Sequence, residues 1–155
     1  MGIAKPLFLK VAPFSNPADM DDFLAAVAAA TFVCGFSVNL PPGKPAGLAA
    51  SAAELERMPG AVSGSPAEAK ANETIRALYR RINRNRYQII GSGGVFNAED
   101  AYRKIRLGAS LVQLMTALIY EGTGIVKSIT QGLSRLVERD GFRSVAEAVG
   151  IDAAE

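Results

Sequence analysis

A glycine-rich turn is the first feature of this sequence with the residue types for binding chemistry. The mostly apolar run 87–90 ends in Gly91-Ser92-Gly93-Gly94, a short amphipathic segment follows, and a second apolar run occupies residues 110–118. This order predicts a strand–turn–helix–strand unit with parallel strands. Residues without a Cβ let backbone N–H groups approach an anion closely, and Asn97 can cap a helix whose positive end would add to such a site. The alternative interpretation is a tight turn that needs glycine only for its backbone dihedrals.

Two polar residues in predicted strands are further candidates for binding. Lys10 interrupts the apolar strand predicted at residues 6–12, and a lysine inside such a run is costly unless its ammonium has a partner. Asn39 comes near the end of the strand predicted at residues 32–40, and its amide can both donate and accept hydrogen bonds. The alternatives are a lysine that snorkels from a strand end and an asparagine that only shapes a turn.

Composition excludes several classes of function. The chain has 155 residues, 49% hydrophobic and 21% charged, which predicts one globular domain with a substantial core. A net charge of +2 without a basic run argues against nucleic acid and membrane-surface binding. With no histidine and one cysteine, Cys34, a zinc site, a Ser-His-Asp triad and an internal disulfide are excluded, and no metal site is expected. The single cysteine favours a reducing, cytoplasmic location, and no apolar run reaches membrane-spanning length.

The strands and helices that must position these residues alternate along the chain. Strands are predicted at residues 6–12, 32–40, 87–90 and 110–118. Helices are predicted from residue 15 to about 30, after the glycine turn, and at residues 66–84, 122–139 and 144–149. Residues 41–65 form a long loop with a helical turn at 49–57, and such a loop is usually functional or mobile. The tail 151–155 is expected to fray.

Four strand–helix units indicate a parallel sheet flanked by helices. A complete (β/α)8 barrel needs about 250 residues, so the pattern fits either half a barrel or a small doubly wound sheet. The second strand alternates an apolar face with a small, polar one that suits a barrel interior. The two faces are Cys34, Phe36 and Val38, and Gly35, Ser37 and Asn39. The pattern alone leaves both architectures open.

Several segments together resemble one family. The resemblance is to the C-terminal half of dihydroorotate dehydrogenase, most closely its membrane-associated, quinone-linked class. It is carried, in order, by LKVAP, NLPPGKPAGL, VSGSP, IIGSGGVFNAEDAYRKIRLGASLVQLMTAL and GF…AVG. It implies an α/β fold in which residues 1–155 form a single domain, the (β/α)4 half of a TIM barrel with parallel strands five to eight and helices on the outer face. It also implies an FMN enzyme that oxidises dihydroorotate to orotate in pyrimidine biosynthesis.

The same resemblance assigns site residues. It implies that Lys10 lies beside the flavin ring, where its charge would stabilise the reduced flavin, and that Asn39 contacts the orotate ring. The residues implied to contact FMN are Lys10, Val38, Ser63, Gly64, Gly93, Gly94, Leu114, Met115 and Thr116. The sequence departs from the family pattern at Leu40, where a threonine usually follows the asparagine, and at Met115, which is often tyrosine. Gln113 is expected to be a satisfied polar residue of the core.

The resemblance assigns no catalytic residue in this sequence. In the family, the proton-abstracting serine, further substrate asparagines and the membrane-docking helices belong to the N-terminal half, which has no counterpart here. We therefore expect the chain to be inactive without an N-terminal half-barrel, and to take dihydroorotate and orotate only in a completed barrel. The alternatives are a non-catalytic half-barrel that binds flavin or phosphate, and a truncated product that self-associates.

The open edges of a half-barrel predict association. The strands at residues 6–12 and 110–118 would each leave unpaired backbone groups, and the interior face, with Phe8 and Leu114 or its neighbours, would be exposed to water. We expect the chain to pair with an N-terminal half or with a second copy of itself. The alternative is a monomer in which the loop at residues 41–65 covers the open face.

Overall fold

A four-stranded parallel sheet forms the centre of the molecule. The computed structural model describes residues 5–154, so the predicted domain limits at residues 1 and 155 lie outside the described part. The strands lie side by side in sequence order. They are β1 (Leu7–Val11), β2 (Val33–Val38), β3 (Gln88–Gly91) and β4 (Leu111–Val112). This order confirms the predicted half-barrel and excludes a doubly wound sheet, in which the strand order would be rearranged.

Helices connect the strands, and three of the six helices among residues 5–154 begin at a side-chain cap. They are α1 (Pro17–Ala28), α2 (Ala52–Arg57), α3 (Glu68–Tyr79), α4 (Ala98–Arg106), α5 (Thr116–Glu121) and α6 (Gly124–Arg139), with 3-10 turns at Ser65–Ala67 and Val145–Ala148. The side chain of Asn16 accepts a hydrogen bond from the N–H of Asp19 at 2.9 Å, and that of Asn97 from the N–H of Asp100 at 2.8 Å, so both asparagines cap their helices. Among residues 5–154, no helix is both long and apolar enough to cross a membrane.

The helices cover one face of the sheet and leave the other open. Leu9, Phe36 and Ile89 share one register position and pack with α1 and α3, and the last two are fully buried. The next register position, on the opposite face, consists of Lys10, Ser37, Ile90 and Leu111. On that face Leu111 is 58% exposed. The face that would line a barrel interior is therefore open within the described residues.

A β-bulge changes which side chains of β2 enter the core. The pairing of β1 with β2 skips one residue between Val33 and Gly35, which leaves Cys34 in the bulge. Val33 therefore joins Phe36 and Val38 in the core, whereas Cys34 is only half-buried. The predicted face was wrong at Cys34 because uninterrupted alternation was assumed.

The strand predicted at residues 110–118 is mostly wrong. Only Leu111–Val112 pairs in the sheet, the N–H of Gln113 donates to the carbonyl of Gly91 at 2.8 Å, and a helix begins at Thr116. Leu114, expected on the interior face, packs instead in an apolar cluster with residues of α6. An apolar run alone does not distinguish a strand from a segment that is buried against helices.

The C-terminal tail is attached to the helices rather than frayed. Arg106 makes two hydrogen bonds with Asp152, each 2.7 Å long. The hydroxyl of Tyr79 donates to the carbonyl of Val149 at 3.2 Å, and Ala153 is 1% exposed. The prediction of a fraying tail is therefore wrong for its described residues.

Candidate functional site

A cleft lies at the carboxyl ends of the strands, where parallel sheets generally bind ligands. It contains about 650 Å³ of space between atoms, part of which is open solvent. Each strand or the segment after it contributes residues. The lining residues are Lys10, Asn39, Leu40, Ser63, Gly64, Ser92, Gly93, Gly94, Val95, Phe96, Gln113, Leu114, Met115, Thr116 and Ala117. All the site residues predicted from the sequence are therefore brought together here except Val38.

Val38 contributes its backbone and not its side chain to this region. Its side chain is fully buried in the core between the sheet and α3. Its carbonyl accepts a hydrogen bond from the hydroxyl of Ser92, in the glycine turn. The backbone of Val38 therefore holds the turn in place through Ser92, and its side chain does not face the cleft.

The glycine turn needs its glycines for both conformation and space. Gly93 and Gly94 have φ values of 88° and 69°, in the region that other residues rarely adopt. A Cβ added to Gly94 would lie 2.4 Å from the Cβ of Glu68 at the start of α3. The alternative interpretation from dihedrals is thus supported, and these glycines would be required even without a ligand.

The same turn nevertheless presents unpaired hydrogen-bond donors to the cleft. The backbone N–H groups of Gly93, Gly94, Met115 and Thr116 form no hydrogen bond with any other residue of the described range. Gly94 is buried, and a buried N–H without a protein partner is costly unless water or a ligand accepts its hydrogen bond. The cleft therefore offers hydrogen-bond donors to any ligand that carries an acceptor.

Two hydroxyl groups lie beside these donors. The hydroxyl of Thr116 is 3.1 Å from that of Ser63 and within hydrogen-bonding distance. A Cβ added to buried Gly64, where φ is 82°, would lie 3.1 Å from the Cγ2 of Thr116. The loop before α3 and the start of α5 are thus in direct contact, and together they place two hydroxyls at the cleft.

Lys10 and Asn39 lie on the open side of the cleft, and their side chains have no partner in the described part of the chain. The ammonium of Lys10 and the side-chain amide of Asn39 make no hydrogen bond to another described residue. The N–H of Asn39 donates to the carbonyl of Val11 at 2.7 Å, which fixes its backbone against β1. Lys10 is exposed because the interior face is open, so the burial cost expected from the sequence does not arise here.

Sequence reasoning missed part of the lining and misplaced Gln113. That residue is exposed at the cleft and its side chain has no partner among residues 5–154, so the expectation of a satisfied core residue is wrong. Its position follows from alternation: Leu111 faces the interior, and Gln113 is two residues later. The exposure of Gln113 could therefore have been predicted from alternation along β4.

The start of α4 is not the anion site that its position suggested. The carboxylate of Asp100 accepts a hydrogen bond from the N–H of Phe96 at 3.0 Å, and Glu99 adds a second negative charge in the first turn. These carboxylates already offset the positive end of the helix dipole. The donors of the glycine turn and of residues 115–116 are the better anion site.

A buried lysine behind the turn was also missed. Lys104 is fully buried between α3 and α4, and its ammonium donates to the Oδ1 of Asn72 at 2.7 Å. Burial lowers the pKa of Lys104 from 10.5 to about 8, and the nearby carboxylates of Glu68 and Asp100 partly oppose this shift. A lysine in an amphipathic helix is ordinarily expected to face water, so its burial could not be predicted from the residue pattern.

The chain resembles proteins of one family over nearly its whole length. The family model for dihydroorotate dehydrogenase (DHODH) matches residues 3–137. A dihydroorotate dehydrogenase (quinone) of Anaeromyxobacter sp. (strain Fw109-5) is 44% identical over 155 residues, covering 96% of this chain and 40% of that protein. The relative from Sphingopyxis alaskensis is 40% identical, covering 98% of this chain and 41% of that protein.

A solved structure shares the fold. A DHODH from Eimeria tenella, determined in complex with ferulenol, superposes with a TM-score of 0.81 and 30% sequence identity. The superposition covers 94% of this chain and 37% of that one. The chain thus spans about two fifths of the length of the relatives that it matches.

Proposed function

The chain belongs to the dihydroorotate dehydrogenase family, and on that basis we propose that its cleft binds FMN as part of an enzyme that oxidises dihydroorotate to orotate. The observation that carries this proposal is the group of unpaired N–H donors at the turn after β3 and at the start of α5. These donors lie where barrels commonly bind phosphate. Because the chain spans only part of its relatives, the activity of a whole enzyme is part of the proposal.

The residues present fit the phosphate group of FMN. The N–H groups of Gly93, Gly94, Met115 and Thr116 have no acceptor among residues 5–154, and phosphate oxygens would supply one. The hydroxyl of Thr116 donates to that of Ser63, which leaves the O–H of Ser63 as a further donor. The nearby helix α4 already carries its own carboxylates, so the phosphate is assigned to the turn and to residues 115–116.

Lys10 and Asn39 are assigned to the reactive part of the site. Bound FMN would supply the hydride acceptor for the oxidation. The cation of Lys10 favours negative charge in the cleft, and no described carboxylate pairs with it, so that charge is available to a ligand. The amide of Asn39 can donate to and accept from a ring such as that of orotate. Leu40 contributes no hydroxyl, so Asn39 is the only substrate contact that we assign.

We assign no general base within the cleft. The hydroxyl of Ser92 donates to the carbonyl of Val38, and that of Ser63 is paired with Thr116. Lys10 is the only titratable side chain among the described lining residues. We therefore propose that proton abstraction depends on another part of the barrel, supplied by an N-terminal half. The single cysteine fits a reducing compartment, and we propose on that ground that the complete enzyme works in the cytoplasm.

Flavin binding is tested by titrating the purified chain with FMN and following the quenching of flavin fluorescence. Thr116→Val should weaken binding, because it removes one hydroxyl from the cleft while keeping the shape of the side chain. The matched control is Thr130→Val on the exposed side of α6, where the hydroxyl bonds only within its own helix. Equal affinity of both variants and the wild type would contradict the assigned phosphate site.

Turnover is tested separately by adding dihydroorotate and an electron acceptor. The chain alone should form no orotate, whereas addition of an N-terminal half-barrel should restore it. Lys10→Ala should then reduce turnover or shift the flavin potential. Steady oxidation by the chain alone would contradict the assignment of the base to another part of the barrel. Binding of FMN without turnover under both conditions would favour the non-catalytic binding module.

A further inference from the structure

A polar cluster lies between α3 and α4, directly behind the glycine turn. In this α3–α4 cluster, Lys104 donates to Asn72, and the side-chain amide of Asn72 donates to Glu68 at 3.4 Å. Glu68 is also paired with Arg103, which contacts Asp100 at 3.5 Å. The cluster joins the two helices by a continuous chain of contacts that begins at a buried cation.

The cluster touches both ends of the turn formed by residues 91–96. At the start of the turn, a Cβ added to Gly91 would lie 3.4 Å from the Cβ of Lys104. Near its end, Gly94 packs on Glu68, and the N–H of Phe96 donates to Asp100 at 3.0 Å. The backbone between these contacts carries the N–H groups of Gly93 and Gly94, which line the cleft and have no acceptor among residues 5–154.

We propose that the α3–α4 cluster fixes the 91–96 turn in the shape that binds an anion, with Lys104 as a positioning residue. The proposal rests on the function proposed for the cleft and adds residues that never touch the ligand. A fully buried ammonium with one amide partner is a costly way to join two helices, since apolar side chains would do so more cheaply. What the cation adds is a fixed geometry, because Asn72 must point its oxygen at Lys104 and its nitrogen at Glu68.

Because Lys104 can lose its proton, the state of the cluster should depend on pH. Burial lowers the pKa of Lys104 to about 8, against the attraction of Glu68 and Asp100 and with the repulsion of Arg103. Loss of this proton would weaken the hydrogen bond from Lys104 to Asn72. The amide signals of residues 93–96 should therefore titrate with Lys104, although no titratable group lies among those four residues.

The test compares Lys104→Met with Arg106→Met in the full chain without ligand. Both variants remove a cation from α4, but Arg106 pairs with Asp140 and Asp152 and makes no hydrogen bond or ion pair with residues 91–96. In Lys104→Met, amide exchange at Phe96 should be on the order of tenfold faster than in the wild type, the effect of losing one buried hydrogen bond. The pH-dependent shift of residues 93–96 should also vanish. Arg106→Met should show wild-type behaviour in both measurements.

The same variants are then titrated with FMN, where Lys104→Met should bind on the order of tenfold more weakly and Arg106→Met as the wild type does. Wild-type exchange at Phe96 in Lys104→Met would overturn the proposal, whatever the flavin affinity. Failure of the wild type to bind FMN would refute the proposed function, and the exchange data would still decide the positioning role. If Lys104→Met does not fold, Asn72→Ala cuts the same chain of contacts at a half-buried residue and replaces it.

Discussion

Replacing Lys104 by methionine should remove most of the alkaline pH dependence of stability. The wild-type ammonium is fully buried and has one hydrogen-bond partner, Asn72. Desolvation is the main cause that lowers its pKa from 10.5 to about 8, and the carboxylates of Glu68 and Asp100 oppose it. Methionine has a similar length and no charge, so the variant isolates the effect of the proton.

The sign and size of the effect follow from linkage. The folded-state pKa lies below the unfolded one, so the unfolded chain binds more protons between about pH 8 and pH 10.5. The free energy of unfolding contributed by Lys104 therefore rises with pH through this range, and this gain is absent below about pH 8. A difference of one in pKa corresponds to about 1.4 kcal/mol, which gives roughly 3 kcal/mol for the whole range.

Urea unfolding at several pH values from about 7 to about 10 measures this contribution. The free energy of unfolding of the wild type, minus that of Lys104→Met, should rise by roughly 2 to 3 kcal/mol over these values. Arg106→Met, which keeps Lys104, should retain the wild-type dependence above about pH 8. Parallel curves for the wild type and Lys104→Met would show that the lysine is solvated in solution, and would refute the reasoning.

Three further changes test other parts of the structure. Arg106→Met should lower the free energy of unfolding by about 1 kcal/mol, while Arg143→Met, at a 92% exposed side chain, should change it by less than about 0.5 kcal/mol in urea unfolding. The hydrogen bond from Arg106 holds the pKa of Asp152 below its usual range, so acid unfolding should show this contribution at neutral pH and its loss as pH falls through that lowered pKa. Gly94→Ala should cost about 1 to 3 kcal/mol in thermal unfolding because of its positive φ, with or without FMN. Light scattering should show that the wild type associates and that Leu111→Lys is shifted towards monomer, whereas a wild-type monomer at micromolar concentration would contradict the open-face argument.

The fold could be predicted because its signals are local and repeated. Alternation of strand and helix, caps at Asn16 and Asn97, and the turn before α4 all act within a few residues of sequence. The bulge at Cys34 and the early end of β4 depend on pairing with strands far along the chain, and period-two alternation does not contain that information. The attached tail was missed for the same reason, because its partner Arg106 is 46 residues away.

The family resemblance identified more residues of the site than the residue pattern alone did. The glycine turn was visible as a candidate, but its glycines are also required by Glu68 and by positive φ, so glycine by itself does not reveal a ligand site. The N–H groups without acceptors, the contact of Ser63 with Thr116 and the buried Lys104 became visible only in three dimensions. Each is a relation between segments that are distant in sequence.

Several polar side chains at the cleft lack partners within residues 5–154, which links ligand affinity to association. On the helical side Lys104 and Arg106 have partners, whereas the side chains of Lys10, Asn39 and Gln113 at the cleft have none among residues 5–154. Whatever covers the open face also excludes water from these groups, and a lower dielectric strengthens the attraction of Lys10 for a bound anion. We therefore expect FMN to bind more tightly at protein concentrations above the association midpoint than below it, as fluorescence titration at both concentrations would measure. Leu111→Lys should keep the weaker affinity throughout. An FMN affinity that does not change with protein concentration would show that the cleft is complete within a single copy.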